Sequence, residues 1–249
     1  MNKKTIFVTG ATSGIGLKIT ELCIAKGYTV YATGRNYASL NRLTTIGAIA
    51  IQADLRQKGD IDRVVSELPC IDVAILNAGL GIFENAFDLT DEHIDEMIDV
   101  NVRAPIYLAK RLIPKMMEHQ NGHMIFISSQ AGKVATRKAS VYAATKHAIT
   151  GFIDGLRLEV APYNIKVTGI FPGPIDTPFL QKADATNAYR ETIKRFLLAP
   201  EEVANAVVKT IDKPVRAVHL PRIMSITSKL YAIAPSLVEQ LGSGFFNKK

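Results

Sequence analysis

Tyr142 and Lys146 stand four residues apart, and Ser129 precedes the tyrosine by thirteen positions. On a helix, a separation of four puts two side chains on one face, with Cβ atoms roughly 5–6 Å apart. An ammonium at that distance favours phenolate over phenol, so the pair can move a proton to or from a substrate oxygen. A free tyrosine ionises near ~10, and lowering that by about three units needs about 4 kcal/mol of preferential phenolate stabilisation.

A second feature opens the chain. Thr9-Gly10-Ala11-Thr12-Ser13-Gly14-Ile15-Gly16 follows a β-branched run and leads into a helical pattern. In that setting Gly10 suits a tight turn, Gly14 a close backbone approach to a pyrophosphate, and Gly16 close helix–strand packing. The helix N-terminus beyond offers N–H groups to phosphates. The turn predicts a dinucleotide held by Gly10, Thr12, Ser13, Gly14, Ile15 and Gly16. An acid at the end of the second strand normally takes the ribose hydroxyls of NAD. Here that strand ends Thr33-Gly34-Arg35. A guanidinium suits the 2′-phosphate of NADP, so NADP(H) is expected over NAD(H). Asp54-Leu55 follows the third strand, with Asp54 placed to accept from an adenine amino group. Asn77-Ala78-Gly79 ends the fourth and brings small residues close to the cofactor.

These features need a scaffold, and the chain reads as one. Strands are expected at Thr5–Thr9, Tyr28–Thr33, Ala48–Gln52, Val73–Asn77, His123–Ser128, Lys166–Phe171 and Ala217–Leu220. Between them, segments such as Ile15–Lys26 and Val203–Ile211 carry apolar residues at helical period. Thr90 reads as an N-cap, with Asp91 and Glu92 in the first turn. Such alternation predicts a parallel sheet covered by helices on both faces and joined by right-handed crossovers. No repeat or linker divides the 249 residues, so one α/β domain over 1–249 is expected.

Composition narrows the class. Apolar residues make up 47% and mean hydropathy is +0.11, which supports a sizeable core. The run Ile6-Phe7-Val8 stops at Thr9-Gly10, unlike a signal peptide, and no apolar stretch nears the roughly 18 residues of a membrane span. A cytoplasmic protein without membrane contact is expected. Cys23 and Cys70 both fall among apolar neighbours and read as buried free thiols. The five histidines lack metal-ligand spacing, so no metal is expected. The net charge of +7 is dispersed, with its densest group, Lys133, Arg137 and Lys138, between Ser129 and Tyr142. That favours attraction of an anionic cofactor or substrate over nucleic acid.

In order, Thr9 through Gly16, Asn77-Ala78-Gly79, Asn101, Ser129, Tyr142-x-x-x-Lys146 and Pro172-Gly173-x-x-x-Thr177 resemble the motifs of the short-chain dehydrogenase/reductase family. The resemblance implies a Rossmann-type, doubly wound sheet of seven strands ordered 3-2-1-4-5-6-7, in three α/β/α layers. It also implies a homodimer or homotetramer. Tyr142 then resembles the proton donor in carbonyl reduction and the base in alcohol oxidation. Lys146, helped by the oxidised nicotinamide's charge, would lower its pKa and bond the nicotinamide ribose. Ser129 would orient the substrate oxygen and stabilise its developing charge. Asn101 would hold a water linking Lys146 to solvent. Pro172, Gly173, Ile175 and Thr177 would border the nicotinamide, Thr177 near its carboxamide. The implied activity is NADPH-dependent reduction of a ketone or aldehyde, or the reverse oxidation. A dinucleotide-sensing binding protein is the alternative, and sensing does not require an activated phenol.

Substrate choice is expected in residues 177–199, which can close as a lid. Phe179, Leu180, Tyr189, Phe196 and Leu197 mix there with Lys182, Arg190, Lys194 and Arg195. The mixture fits a hydrophobic ketone, a carrier bearing phosphate or carboxylate, or simply a lid helix with a solvated basic face. Gly81, Ile82 and Phe83 read equally as pocket wall or as core. The apolar arm 223–249, interrupted by Pro235, is expected to pack on a neighbouring subunit or over the cleft. Shallow membrane insertion near Lys248-Lys249 is the weaker alternative.

Overall fold

Every expected strand forms, with no end shifted by more than one residue. In the computed structural model these are β1 (Thr5–Thr9), β2 (Thr29–Gly34), β3 (Ile49–Gln52), β4 (Val73–Leu76), β5 (Gly122–Ile127), β6 (Ile165–Pro172) and β7 (Ala217–Leu220). The helices that bear on the site are α1 (Gly14–Ala25), α2 (Tyr37–Thr45), α3 (Lys58–Glu67), α4 (Asp91–Ile98), α5 (Ala104–Glu118) and α6 (Ser140–Val160). Beyond β6 come α7 (Pro178–Ala183), α8 (Ala188–Ile193), α9 (Pro200–Asp212), α10 (Ile223–Ile233) and α11 (Pro235–Leu241). The structure describes residues 3–184 and 188–241. Residues 185–187 of the expected lid, and Phe245, Phe246, Lys248 and Lys249 of the arm, lie outside these.

One sheet carries all seven strands, every pair parallel, in the order β3-β2-β1-β4-β5-β6-β7. A parallel sheet has both faces covered, so its central strands must be apolar throughout. Accordingly β4 and β5 are buried at every position. On one face Ile19 and Cys23 of α1 and Val207 of α9 pack with Val8 and Ile75. On the other, Leu108 and Met116 of α5 and Ile153 of α6 pack with Phe7 and Phe126. The result is the doubly wound Rossmann-type α/β fold. Thr90 caps α4, its hydroxyl accepting from His93 N–H at 3.3 Å. Pro235 separates α10 from α11, as its missing N–H requires.

One expectation fails on the surface. Cys23 is buried, which pushes its thiol up to about 12, but Cys70 is exposed. Its neighbours Leu68 and Ile71 both turn inward ahead of β4, leaving Cys70 on the outer side of that bend.

The strand order reverses between β1 and β4, and both strands end at the same edge. There Gly10 (φ +64°) and Gly14 (φ +55°) take the left-handed conformation that only glycine adopts at low cost. A staple joins the two strand ends. Thr9 Oγ1 accepts from the N–H groups of Asn77 and Ala78 at 2.9 and 3.0 Å. The Asn77 amide donates back to the carbonyls of Thr9 and Gly10 at 2.9 and 3.2 Å. Gly16 lies against this staple, where an added Cβ would stand 2.2 Å from Gly10 O and 2.4 Å from Asn77 Nδ2. Backbone cannot yield as a flexible side chain does. Gly16→Ala is therefore expected to cost about 1–3 kcal/mol, the usual range for overpacking. Urea denaturation reads this directly, and an unchanged midpoint would contradict the packing described.

Candidate active site

Helix α6 presents Tyr142 and Lys146 on one face, and both are buried, 8% and 5% exposed. The Lys146 ammonium donates to Ile127 O, the last carbonyl of β5, at 3.1 Å. It lies 5.8 Å from the Tyr142 ring centroid. Ser129 begins two residues past the end of β5 in extended backbone, and its Oγ accepts from Ala131 N–H at 3.0 Å. The short turn Gln130–Gly132 that follows is pressed onto α6. A Cβ on Gly132 would stand 2.6 Å from Lys146 O. Neighbouring Ser128 turns the other way, its hydroxyl 3.2 Å from Thr150 Oγ1 inside α6's packing surface. Of the two serines, Ser129 is the one beside the phenol.

Burial governs the charges here. It pushes Tyr142 up to about 12, while the Ser129 hydroxyl favours the ionised phenol and acts in the opposite sense. It pulls Lys146 down to about 8, which leaves the ammonium charged at neutral pH. Among the protein's own side chains, burial is thus the larger influence on the phenol. The ammonium is turned toward Ile127 O, and desolvation opposes phenolate more strongly than any neighbouring side chain supports it.

Asn101 occupies a π-helical turn, Asp99–Arg103, between α4 and α5. Its Oδ1 accepts from Leu80 N–H at 2.8 Å, and its Nδ2 donates to Leu80 O at 2.7 Å and Thr145 Oγ1 at 3.0 Å. The Thr145 hydroxyl in turn donates to Tyr142 O at 2.7 Å. This buried clamp ties the loop after β4 to the turn of α6 that carries Tyr142 and Lys146. Gly79 lies in its angle, where a Cβ would stand 3.5 Å from Asn101 Oδ1 and 3.6 Å from Lys146 Nζ. Neither Thr145 in this clamp nor the stapling role of Thr9 is visible in the sequence. Their threonine hydroxyls carry no spacing signal without knowledge of which segments meet.

The other expected residues line the same sheet edge. Ser13 is the extended N-cap of α1 but makes no capping bond with its side chain, and Ile15 packs into the core behind it. Thr12 lies over Gly34, where a Cβ would meet its Cγ2 at 2.5 Å. Thr177 faces Gly14, 3.4 Å from where a Cβ would stand there. Pro172 ends β6, and Gly173 N–H donates to Leu220 O at 2.7 Å. Ile175 bridges Leu198, zipping together the base of the 177–199 segment.

Away from the phenol, a groove of about 340 Å³ is lined by Arg35, Gln52, Ala53, Asp54, Asp60 and Arg63. Asp54 is committed to Arg56, whose Nε donates to it at 3.0 Å and whose Nη2 donates at 2.6 Å, and Arg56 holds its carboxyl below the usual range. Arg56 also pairs with Glu96. Leu55 is buried in the core. Arg63 pairs with Asp60 and Glu67. Arg35 is exposed and, among the described residues, its guanidinium has no hydrogen-bond or salt-bridge partner.

An aromatic cluster closes over the phenol. Phe83 lies 5.7 Å from the Tyr142 ring and 5.3 Å from Tyr189, and Phe179 lies 5.9 Å from Tyr142. Phe83 N–H donates to Ala183 O at 2.8 Å, pinning the loop after β4 to α7. The arm reaches the cleft from the other side. Gln130 Nε2 donates to Met224 O at 3.0 Å, and Met224 packs against Gly173. Ile223, Ile226, Leu230, Ile233 and Leu237 face outward. No helix among the described residues is long and apolar enough to cross a membrane.

Comparison with known proteins accords with this geometry. The family model described as short chain dehydrogenase matches residues 4–188. An uncharacterized oxidoreductase of Staphylococcus aureus strain USA300 is 32% identical over 222 residues, covering 86% of this chain and 93% of its own. The closed form of a serine dehydrogenase complexed with NADP+ aligns with a TM-score of 0.81 at 32% identity, over 86% of this chain and 93% of that one. A 3-ketoacyl-(acyl-carrier-protein) reductase from Brucella melitensis complexed with NADH aligns with a TM-score of 0.78 at 26% identity, over 87% and 96%. The chain belongs to the short-chain dehydrogenase/reductase family of NAD(P)-dependent oxidoreductases.

Proposed function

We propose that this protein reduces a ketone or aldehyde to an alcohol with NADPH, Tyr142 giving the proton. The observation that carries this reading is Tyr142 buried beside Ser129 and on one face of α6 with Lys146. Reduction starts from phenol, the form that burial favours, and the developing alkoxide is a far stronger base than phenolate. Ser129 orients the carbonyl oxygen and donates to it as charge develops. Lys146, charged at pH 7, is placed to bond the nicotinamide ribose and to return a proton to Tyr142. Asn101 positions that turn of α6 through Thr145 and Leu80, and the water route from Lys146 to solvent would pass beside it.

The turn fits a dinucleotide. Two left-handed glycines, the α1 N-terminus uncapped by Ser13, and the close facing of Gly14 and Thr177 form a small-residue cradle. Gly10, Thr12, Ser13, Gly14 and Gly16 would hold the pyrophosphate. Asn77, Ala78, Gly79, Pro172, Gly173, Ile175 and Thr177 would border the nicotinamide, and Asp54 and Leu55 the adenine. A bound NADPH supplies the hydride delivered to the carbonyl carbon. The Arg35 guanidinium, with no hydrogen-bond or salt-bridge partner among the described residues, lines a groove whose acids are paired with other arginines, and this favours the 2′-phosphate of NADP over NAD. The neighbour complexed with NADP+ supports the same choice. We read the working form as a homodimer or homotetramer of one-domain chains in the cytoplasm.

Two variants test this reading. Tyr142→Phe is expected to lower carbonyl-dependent NADPH oxidation by about 10²-fold or more while NADPH still binds. Equal rates across a carbonyl panel would reject the enzyme and leave a dinucleotide sensor. Arg35→Asp is expected to weaken NADPH relative to NADH by about tenfold or more, since a charge-assisted contact becomes a repulsion. Wild-type protein that binds both cofactors equally would contradict the assignment of Arg35.

A further inference from the structure

The aromatic cluster over Tyr142 carries a statement about substrate, and it rests on the reductase reading above. Four rings converge. Phe83 touches Tyr142, Phe179 and Tyr189 edge-on at 5.7, 6.5 and 5.3 Å, and Phe179 tilts onto Tyr142 at 5.9 Å. The rings come from three separate segments: the loop after β4, helix α6, and α7–α8. Gly81 makes the convergence possible, since a Cβ there would stand 2.6 Å from Phe179 Cζ and 3.3 Å from Tyr142 Cδ2.

The cations of the same segment are engaged or exposed. Arg190 donates to Asp176 at 2.8 Å, Lys194 pairs with Glu191 at 3.6 Å, and Lys182 and Arg195 are exposed. The groups of this segment that lie against the Tyr142 ring are therefore aromatic rings, not these four cations. Entry separates ring pairs now in contact. A substrate bearing its own ring restores edge-to-face contacts with Phe83 and Phe179, whereas a short aliphatic or zwitterionic one leaves them unmade.

We infer that Phe83, Phe179 and Tyr189 form an aromatic cage selecting carbonyl compounds that carry an aryl or flat cyclic apolar group, against small amino or hydroxy acids.

The test compares acetophenone with butanone by calorimetric titration of the NADP+-loaded full-length protein, a complex that cannot turn over. Acetophenone is expected to bind at least about tenfold more tightly, the sum of two modest ring contacts. Phe179→Leu and Phe83→Leu, which keep the wall apolar, are each expected to shrink that advantage severalfold with NADP+ affinity retained. Equal affinity for the two ketones overturns the cage, as does an advantage that both variants leave intact. NADP+-dependent oxidation of L-serine faster than of 1-phenylethanol overturns it too. Failure of the parent reading looks different. No carbonyl would then support NADPH oxidation while the binding preference for acetophenone persisted, and ring recognition would stand.

Discussion

A phenol and an ammonium on one turn of a helix, both removed from water, set the terms for the site. Desolvation disfavours phenolate at Tyr142 and disfavours the ammonium at Lys146, so each needs a specific partner. Lys146 finds Ile127 O, the final carbonyl of β5, and at about 8 its pKa still leaves it charged near neutrality. The Asn101–Leu80–Thr145 clamp and the close approach of Gly132 then hold the turn in place. A satisfied polar network in a site this dry rigidifies the groups that make it.

The sheet delivers these parts to one edge. Parallel strands share a direction, so β1, β4, β5 and β6 all end on the same side. The glycine turn follows the first, Asn77-Ala78-Gly79 the second, Ser129 the third and Pro172-Gly173 the fourth. The Thr9–Asn77 staple locks the first two ends across the point where strand order reverses, which is where open α/β sheets bind ligands.

Much of this was legible in the residues. Apolar and β-branched runs marked the strands, with glycine, asparagine or serine closing β1, β2, β4 and β5, and the fully buried β4 and β5 leave no ambiguity of face. Tyr142 and Lys146 fell on one helical face as their spacing required. The failures share a cause. Cys70 has apolar neighbours in sequence but an outward bend in space. The pairing of Asp54 with Arg56, two residues on, was equally hidden, although it leaves Asp54 acceptor positions for an adenine amino group. Phe83 read as wall or core, and only the approach of α7 and α8 shows it meeting Tyr142. The sign of the Tyr142 shift was also beyond the sequence. Spacing reveals the nearby cation, but burial outweighs it, and burial is a property of the assembled fold.

The chemistry proposed for this site turns on Tyr142 staying protonated in its own protein environment. Tyrosine labelled with carbon-13 at Cζ reports each of the eight phenols by NMR, and Tyr142→Phe identifies the resonance concerned. Titrated without dinucleotide, Tyr142 should show no ionisation below pH 10, consistent with a pKa near 12. Ionisation near pH 7 in the protein alone would mean that Lys146, not burial, rules the phenol, and the account would be wrong.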